Sequence, residues 1–96
     1  MSYSSNKICT NPIYINALTK LLSYCFVYNI EVSSIENFMG GFKVTFAGFP
    51  NCDAICHDYS MGHEVGHWET IGFAWDYNDV TELTVTELIN LLYIYS

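Results

Sequence analysis

An α+β fold is predicted by three features of this sequence: a segment with helical spacing near each end, a central run of alternating apolar and polar residues, and glycine-rich turns that cut that run into strands. The expected architecture is a four-stranded antiparallel meander sheet, with an N-terminal and a C-terminal helix packed on one of its faces. A chain of 96 residues that is 51% hydrophobic has room for one core, so residues 1–96 are read as a single domain.

The first helix is expected to start at Asn11-Pro12, where Asn can cap and Pro at the first helical position loses no hydrogen bond. Tyr14, Leu18, Leu21, Leu22 and Cys25 form its apolar face. Asn16, Thr19, Lys20 and Ser23 draw a polar stripe down the other side, which marks an amphipathic helix of a soluble protein rather than a membrane span. The spacing fades at Tyr28-Asn29, and an edge strand follows from Ile30 to Phe38. Gly40-Gly41 suits a tight hairpin turn. Phe42, Val44 and Phe46 alternate with Lys43, Thr45 and Ala47, which predicts a second strand with its even positions buried.

After the turn Gly48-Phe49-Pro50-Asn51, a third strand is expected from Asp53 to Tyr59 and a fourth from Trp68 to Trp75, with Ile71, Phe73 and Trp75 on one face. Pairing Ile55 with Ile71 sets His57 opposite Glu69 and Tyr59 opposite His67. The last helix has the clearest local signal: Thr84-Val85-Thr86-Glu87 is a capping box, followed by Leu88, Ile89 and Leu92 at helical spacing.

The charge is one-sided. Ten carboxylates face three lysines and no arginine, a net charge of −7. Lys7 and Lys20 precede every acid, so the negative field belongs to the later two thirds of the chain. Three scattered lysines cannot neutralise a row of phosphates, which excludes direct binding of nucleic acid. A partner drawn by charge is instead a basic protein surface. Asp58, Glu64, Glu69, Asp76, Asp79 and Glu82 are the candidate partner-binding residues, with exposed Tyr or Trp side chains as anchors. The first seven residues lack the pattern of a secretory signal, so a cytoplasmic location with reduced thiols is expected. Tyr93-Ile94-Tyr95 offers apolar surface for a homodimer.

All three histidines and two of the four cysteines fall between residues 52 and 67. Zinc is the cofactor this set would take, with Cys52, Cys56, His63 and His67 as the four ligands or His57 in place of one cysteine, and the alternative reading of the chain is a zinc-stabilised structural or interaction module. His63-Glu64-Val65-Gly66-His67 also matches the H-E-x-x-H pattern of zinc peptidases, which needs both imidazoles on one face of an α-helix. Gly62 and Gly66 disfavour that helix. Cys56 and His57 are neighbours on a strand and point to opposite faces, so they cannot act together as nucleophile and base. No catalytic residues are assigned, and the chain is read as a non-enzyme. Asp76-Tyr77-Asn78-Asp79 lacks the glycine and the distal Glu of a calcium loop and is read as a solvated turn.

Ser60-Met61-Gly62, Gly66-His67-Trp68-Glu69, Gly72-Phe73-Ala74-Trp75-Asp76, Asp79-Val80-Thr81 and Thr84-Val85-Thr86-Glu87-Leu88 resemble stretches of small proteins from bacteriophages and mobile elements of Gram-positive bacteria. With its size and acidity, the chain is similar in character to the type II anti-CRISPR proteins. That resemblance implies an inhibitor of Cas9 or a related host nuclease, acting by occupying a nucleic-acid-binding surface; the zinc-stabilised module would have another phage role. It carries over no individual site residue.

Overall fold

The computed structural model describes residues 8–76 and 80–96. Helix α1 spans Pro12–Val27 and is capped as expected, the Asn11 side chain accepting from the Ile13 N–H at 2.9 Å. Strands β1 (Val32–Phe38), β2 (Gly41–Phe46), β3 (Asp53–Cys56), β4 (Trp68–Ile71) and β5 (Thr81–Leu83) follow, and helix α2 covers Val85–Tyr95. A short 3-10 turn at His63–Val65 lies in the β3–β4 connection. The strands form one antiparallel sheet in the order of the chain, a meander.

Both helices pack on the same face of that sheet. Tyr14, Ala17, Leu21 and Cys25 of α1 and Leu88, Ile89 and Leu92 of α2 bury against Val44, Phe46, Ala54, Cys56, Trp68 and Leu83. Trp68 sits at the centre with no exposed surface. The capping box of α2 is complete, the Glu87 N–H donating to Thr84 Oγ1 at 3.1 Å and the Thr84 N–H to Glu87 Oε1 at 2.9 Å. Gly41 opens β2 where a Cβ would collide with the Cys56 carbonyl and stand 2.6 Å from His57 Cα, so the close approach of the two strands depends on a missing side chain.

The sheet has five strands rather than the expected four. The run from Trp68 to Trp75 does not continue as one strand because Gly72 takes a φ of +90° and the chain turns, the Asp76 N–H donating to the Phe73 carbonyl at 2.9 Å. The chain then returns as β5, which pairs Leu83 with Trp68 and Thr81 with Thr70. The third strand also stops early, at Cys56 instead of Tyr59, because the Ser60 N–H bonds back to the His57 carbonyl and closes a turn. Pairing of β3 with β4 sets Ile55 opposite Glu69, two residues from the expected register. A slip of two preserves which face each side chain occupies. The facing of Ile55 and Glu69 is therefore kept although the expected partners, Ile71 for Ile55 and Glu69 for His57, are not. The expected common face of Ile71, Phe73 and Trp75 is lost, since Ile71 points away from the helices while Phe73, beyond the turn, enters the core.

Candidate functional site

Register fixes what the uncovered sheet face displays. Val44, Ala54 and Thr70 point toward the helices, so their strand neighbours point away: Glu36 pairs with Lys43, Lys43 with Ile55, Ile55 with Glu69, and Glu69 with Glu82. These five residues form one row across all five strands, at steps of about 4.8 Å. Asp53, opposite Ile71, adds a further carboxylate to the same face. Lys43 is the row's one cation, and its ammonium lies 4.5 Å from the centre of the Phe38 ring.

Two carboxylates directly opposite each other, Glu69 and Glu82, repel unless something answers them. The β3–β4 connection supplies the answers. The Met61 N–H donates to Glu69 Oε1 at 2.8 Å, and His67 Nδ1 lies at hydrogen-bonding distance, 2.7 Å, from Glu82 Oε2. Gly62 makes this contact reachable: its φ is +75°, and a Cβ there would run into the Glu82 carboxylate and the His67 Cβ. The acidic face and the histidine-rich loop are thus one structure.

The same loop is tied to α1 by a buried phenol. Tyr14 Oη lies 3.0 Å from Asp58 Oδ1 and 2.9 Å from His63 Nδ1. With its one hydrogen donated to the carboxylate, the phenol oxygen can only accept from His63, which assigns the imidazole hydrogen to Nδ1 and leaves Nε2 as the open nitrogen. Burial, reinforced by Asp58, holds the Tyr14 hydroxyl well above its usual range, so it remains a neutral donor. His57 is buried beside it in the chain. Its Nδ1 accepts from the Tyr59 N–H at 3.0 Å and its ring meets Phe38 edge-on. Burial lowers its affinity for a proton, against an opposing pull from Glu69 and Asp58.

The four expected zinc ligands have separate surroundings. Cys52 Sγ lies 3.3 and 3.2 Å from the carbonyls of Pro50 and Gly72, which share its one thiol hydrogen, and burial raises its thiol above the ordinary range. Cys56 is fully buried in the core, with its thiol pushed up to about 12, first by burial and then by Cys9. His63 is bound to Tyr14 and His67 to Glu82. Among the described residues, no group of three or more His, Cys, Asp and Glu side chains could hold a metal ion. His63-Glu64-Val65 is a 3-10 turn between two left-handed glycines rather than part of an α-helix, so the helical geometry behind the H-E-x-x-H pattern is missing.

The expected acidic residues also divide. Glu69 and Glu82 belong to the sheet face, and Asp58 and exposed Glu64 lie in the adjoining connection. Asp76 does not belong with them. It is buried, with Oδ1 accepting from the Thr70 hydroxyl at 2.8 Å and Oδ2 from the Phe73 N–H at 3.2 Å. It shapes the β4–β5 turn instead of facing a partner. Asp79 lies outside the described residues. Glu36 and Asp53 are acidic-face residues that reading charge along the chain overlooks; the signal for Glu36 is the alternation of β1, which sets it opposite Lys43.

Tyr59 is exposed next to Asp58, and Ile71 is partly exposed on the sheet, so apolar anchors accompany the charges. Exposed Tyr or Trp side chains are the expected anchors; neither tryptophan serves, since Trp68 is core and Trp75 stacks on Phe73 at 4.4 Å between ring centres. No helix among the described residues is long and apolar enough to cross a membrane. In comparisons with protein-family models, curated proteins and solved structures, the chain matches none.

Proposed function

We propose that this chain is a non-catalytic acidic binding protein that occupies a basic, nucleic-acid-binding surface of a host defence nuclease of the Cas9 kind. The observation that carries the reading is the row Glu36, Lys43, Ile55, Glu69 and Glu82 with neighbouring Asp53: the sheet face opposite the two helices, on which carboxylates outnumber cations four to one around a buried Ile55. A groove built for nucleic acid offers Lys and Arg at backbone spacing, and a sheet holds carboxylates against it without the entropy cost of ordering a loop. Tyr59 and Ile71 bury apolar area beside the charges.

The test is binding of the full chain to a guide-loaded Cas9-type nuclease across a salt series, with Glu36→Gln, Asp53→Asn and Glu64→Gln combined in one variant. At low salt the variant is expected to bind about tenfold more weakly or worse, with the gap closing as salt rises, because screening already weakens the wild-type contacts. Its melting temperature should stay near that of the wild type. Equal binding at low salt would remove the acidic face as the interface, and a protein captured from host lysate by wild type and variant alike would redirect the search for the partner.

A further inference from the structure

On the far side of the molecule from the acidic face, the surface changes character. Residues 21–30 and 88–96 contain no charged side chain, although the chain as a whole carries −7. These segments are the last turns of α1 and most of α2, and they lie side by side: Tyr28 stacks on Tyr24 at 6.5 Å and meets Tyr93 edge-on at 6.1 Å. Tyr24, Tyr28, Ile89 and Tyr93 line a cleft of about 220 Å³ between the two helices, with Glu87, held in the α2 capping box, and Asn90 also on its wall. Around it the helix ends leave large apolar side chains in water: Phe26 is 86% exposed, Val27 69%, Ile94 62%, and Tyr28, Tyr93 and Tyr95 about half or more.

We propose that this face joins two copies of the chain in a symmetric dimer. The first argument is area. Taking roughly 150–250 Å² for each large side chain, Phe26, Val27, Tyr28, Tyr93, Ile94 and Tyr95 expose about 750 Å² per copy, close to the ~800 Å² each partner gives to a standard interface and well above a typical surface patch. The second argument is charge. Two copies carrying −7 each repel, and the approach that costs least is through the helix ends, where Glu87 is the one acidic side chain lining the cleft and its carboxylate is engaged by the Thr84 N–H. A basic partner is drawn to the opposite side, so the uncharged helix ends best suit another copy of the same neutral surface. A two-fold axis here lets a projecting side chain such as Ile94 or Phe26 of one copy enter the tyrosine-lined cleft of the other, reciprocally. The acidic sheet faces then point outward, and one dimer presents two of them.

Sedimentation equilibrium of the full chain from about 1 to 200 µM tests this directly, the range in which an interface of this size associates measurably. The wild type is expected to approach twice its 11.0 kDa mass. Val27→Glu combined with Ile94→Glu puts two like charges per copy into the joint. Both positions are exposed, so the variant should fold with an unchanged melting temperature at the dilute end while its dimer weakens at least about 100-fold. Tyr93→Ala, which opens the cleft without adding charge, should weaken the dimer as well. A wild type that stays monomeric at the top of the range overturns the proposal, whether or not Val27 and Ile94 turn out to hold some other protein. A dimer that survives the double substitution overturns it too, and would move attention to the edge of β1. Neutralising Glu36, Asp53 and Glu64 leaves this joint untouched, so failure of the acidic-face reading and failure of the dimer are separate results.

Discussion

Replacing Asp76 by alanine distinguishes a buried hub from a charged surface residue. The carboxylate receives the Thr70 hydroxyl and the Phe73 N–H, and the Thr70 oxygen in turn accepts from Trp75 Nε1 at 2.9 Å. Asp76→Ala removes two hydrogen bonds to a charged acceptor and leaves a buried hydroxyl and a buried N–H without that partner. At about 1.5 kcal/mol for each donor, the loss comes to about 3 kcal/mol. A domain of this length holds about 5–14 kcal/mol in total, and the substitution should lower the melting temperature by about 15 °C. Asp76→Asn keeps the shape and one acceptor but sets an amide against the Phe73 N–H or the Thr70 hydroxyl, at a cost of about 1–2 kcal/mol. The assay is urea unfolding followed by tryptophan emission, since Trp75 is part of the network. If the alanine variant lies within about 0.5 kcal/mol of the wild type, the range of an ordinary surface substitution, the hub described here does not stabilise the fold.

Three further outcomes follow from the same kind of reasoning. Because burial lowers the proton affinity of His57, the unfolded chain binds a proton there more readily: stability is complete above the ordinary imidazole value of about 6.5 and declines as pH falls through the folded-state value below it. His57→Asn, which retains an acceptor for the Tyr59 N–H, should make the stability profile between about pH 7 and 5 flatter; parallel profiles would rule the mechanism out. Gly41→Ala drives a methyl into the Cys56 carbonyl on the neighbouring strand, and circular dichroism and urea unfolding should show a loss of about 3 kcal/mol or an unfolded chain. Thr84→Ala removes the cap of α2 and should cost about 1 kcal/mol by urea unfolding, with the sheet unchanged.

Where structure is written in residues close together, the sequence is legible. Asn11-Pro12 and Thr84-Glu87 announce the two helices because a cap is a contact between near neighbours. Phe42, Val44 and Phe46 announce β2 because period-two alternation needs nothing beyond the strand itself. The fifth strand is only Thr81-Glu82-Leu83, too short for any period to show, and it exists because Thr70 and Trp68 offer it an edge. Asp76 sits in an acid-rich run that reads as solvated, and what buries it is a fold of the chain back onto Thr70, six residues away. The cysteines and histidines are dense in the chain but divided in space. Cys52 and Cys56 face inward while His63 and His67 serve Tyr14 and Glu82, and linear spacing carries no record of that division. The acidic face has the reverse history. Its members are spread from Glu36 to Glu82, and only the strand register brings them into one row.

The order of the meander also governs how the chain reaches this state. Each strand pairs with the one made just before it, so the sheet can grow by successive short hairpins, each closing a small loop. Helix α1 is the exception. Its Leu21 and Cys25 share a core with Leu88 and Leu92, so the first element made must wait for the last before that face is shut. During synthesis α1 can seat on the growing sheet, but the side of its apolar stripe that meets α2 stays open while some sixty residues emerge behind it. The slow step of refolding is therefore expected to be the docking of α2 against α1 and the paired sheet, and a chain cut short before Leu88 should pair its strands and seat α1 on them yet leave the part of the core that α2 covers open to whatever apolar surface it meets.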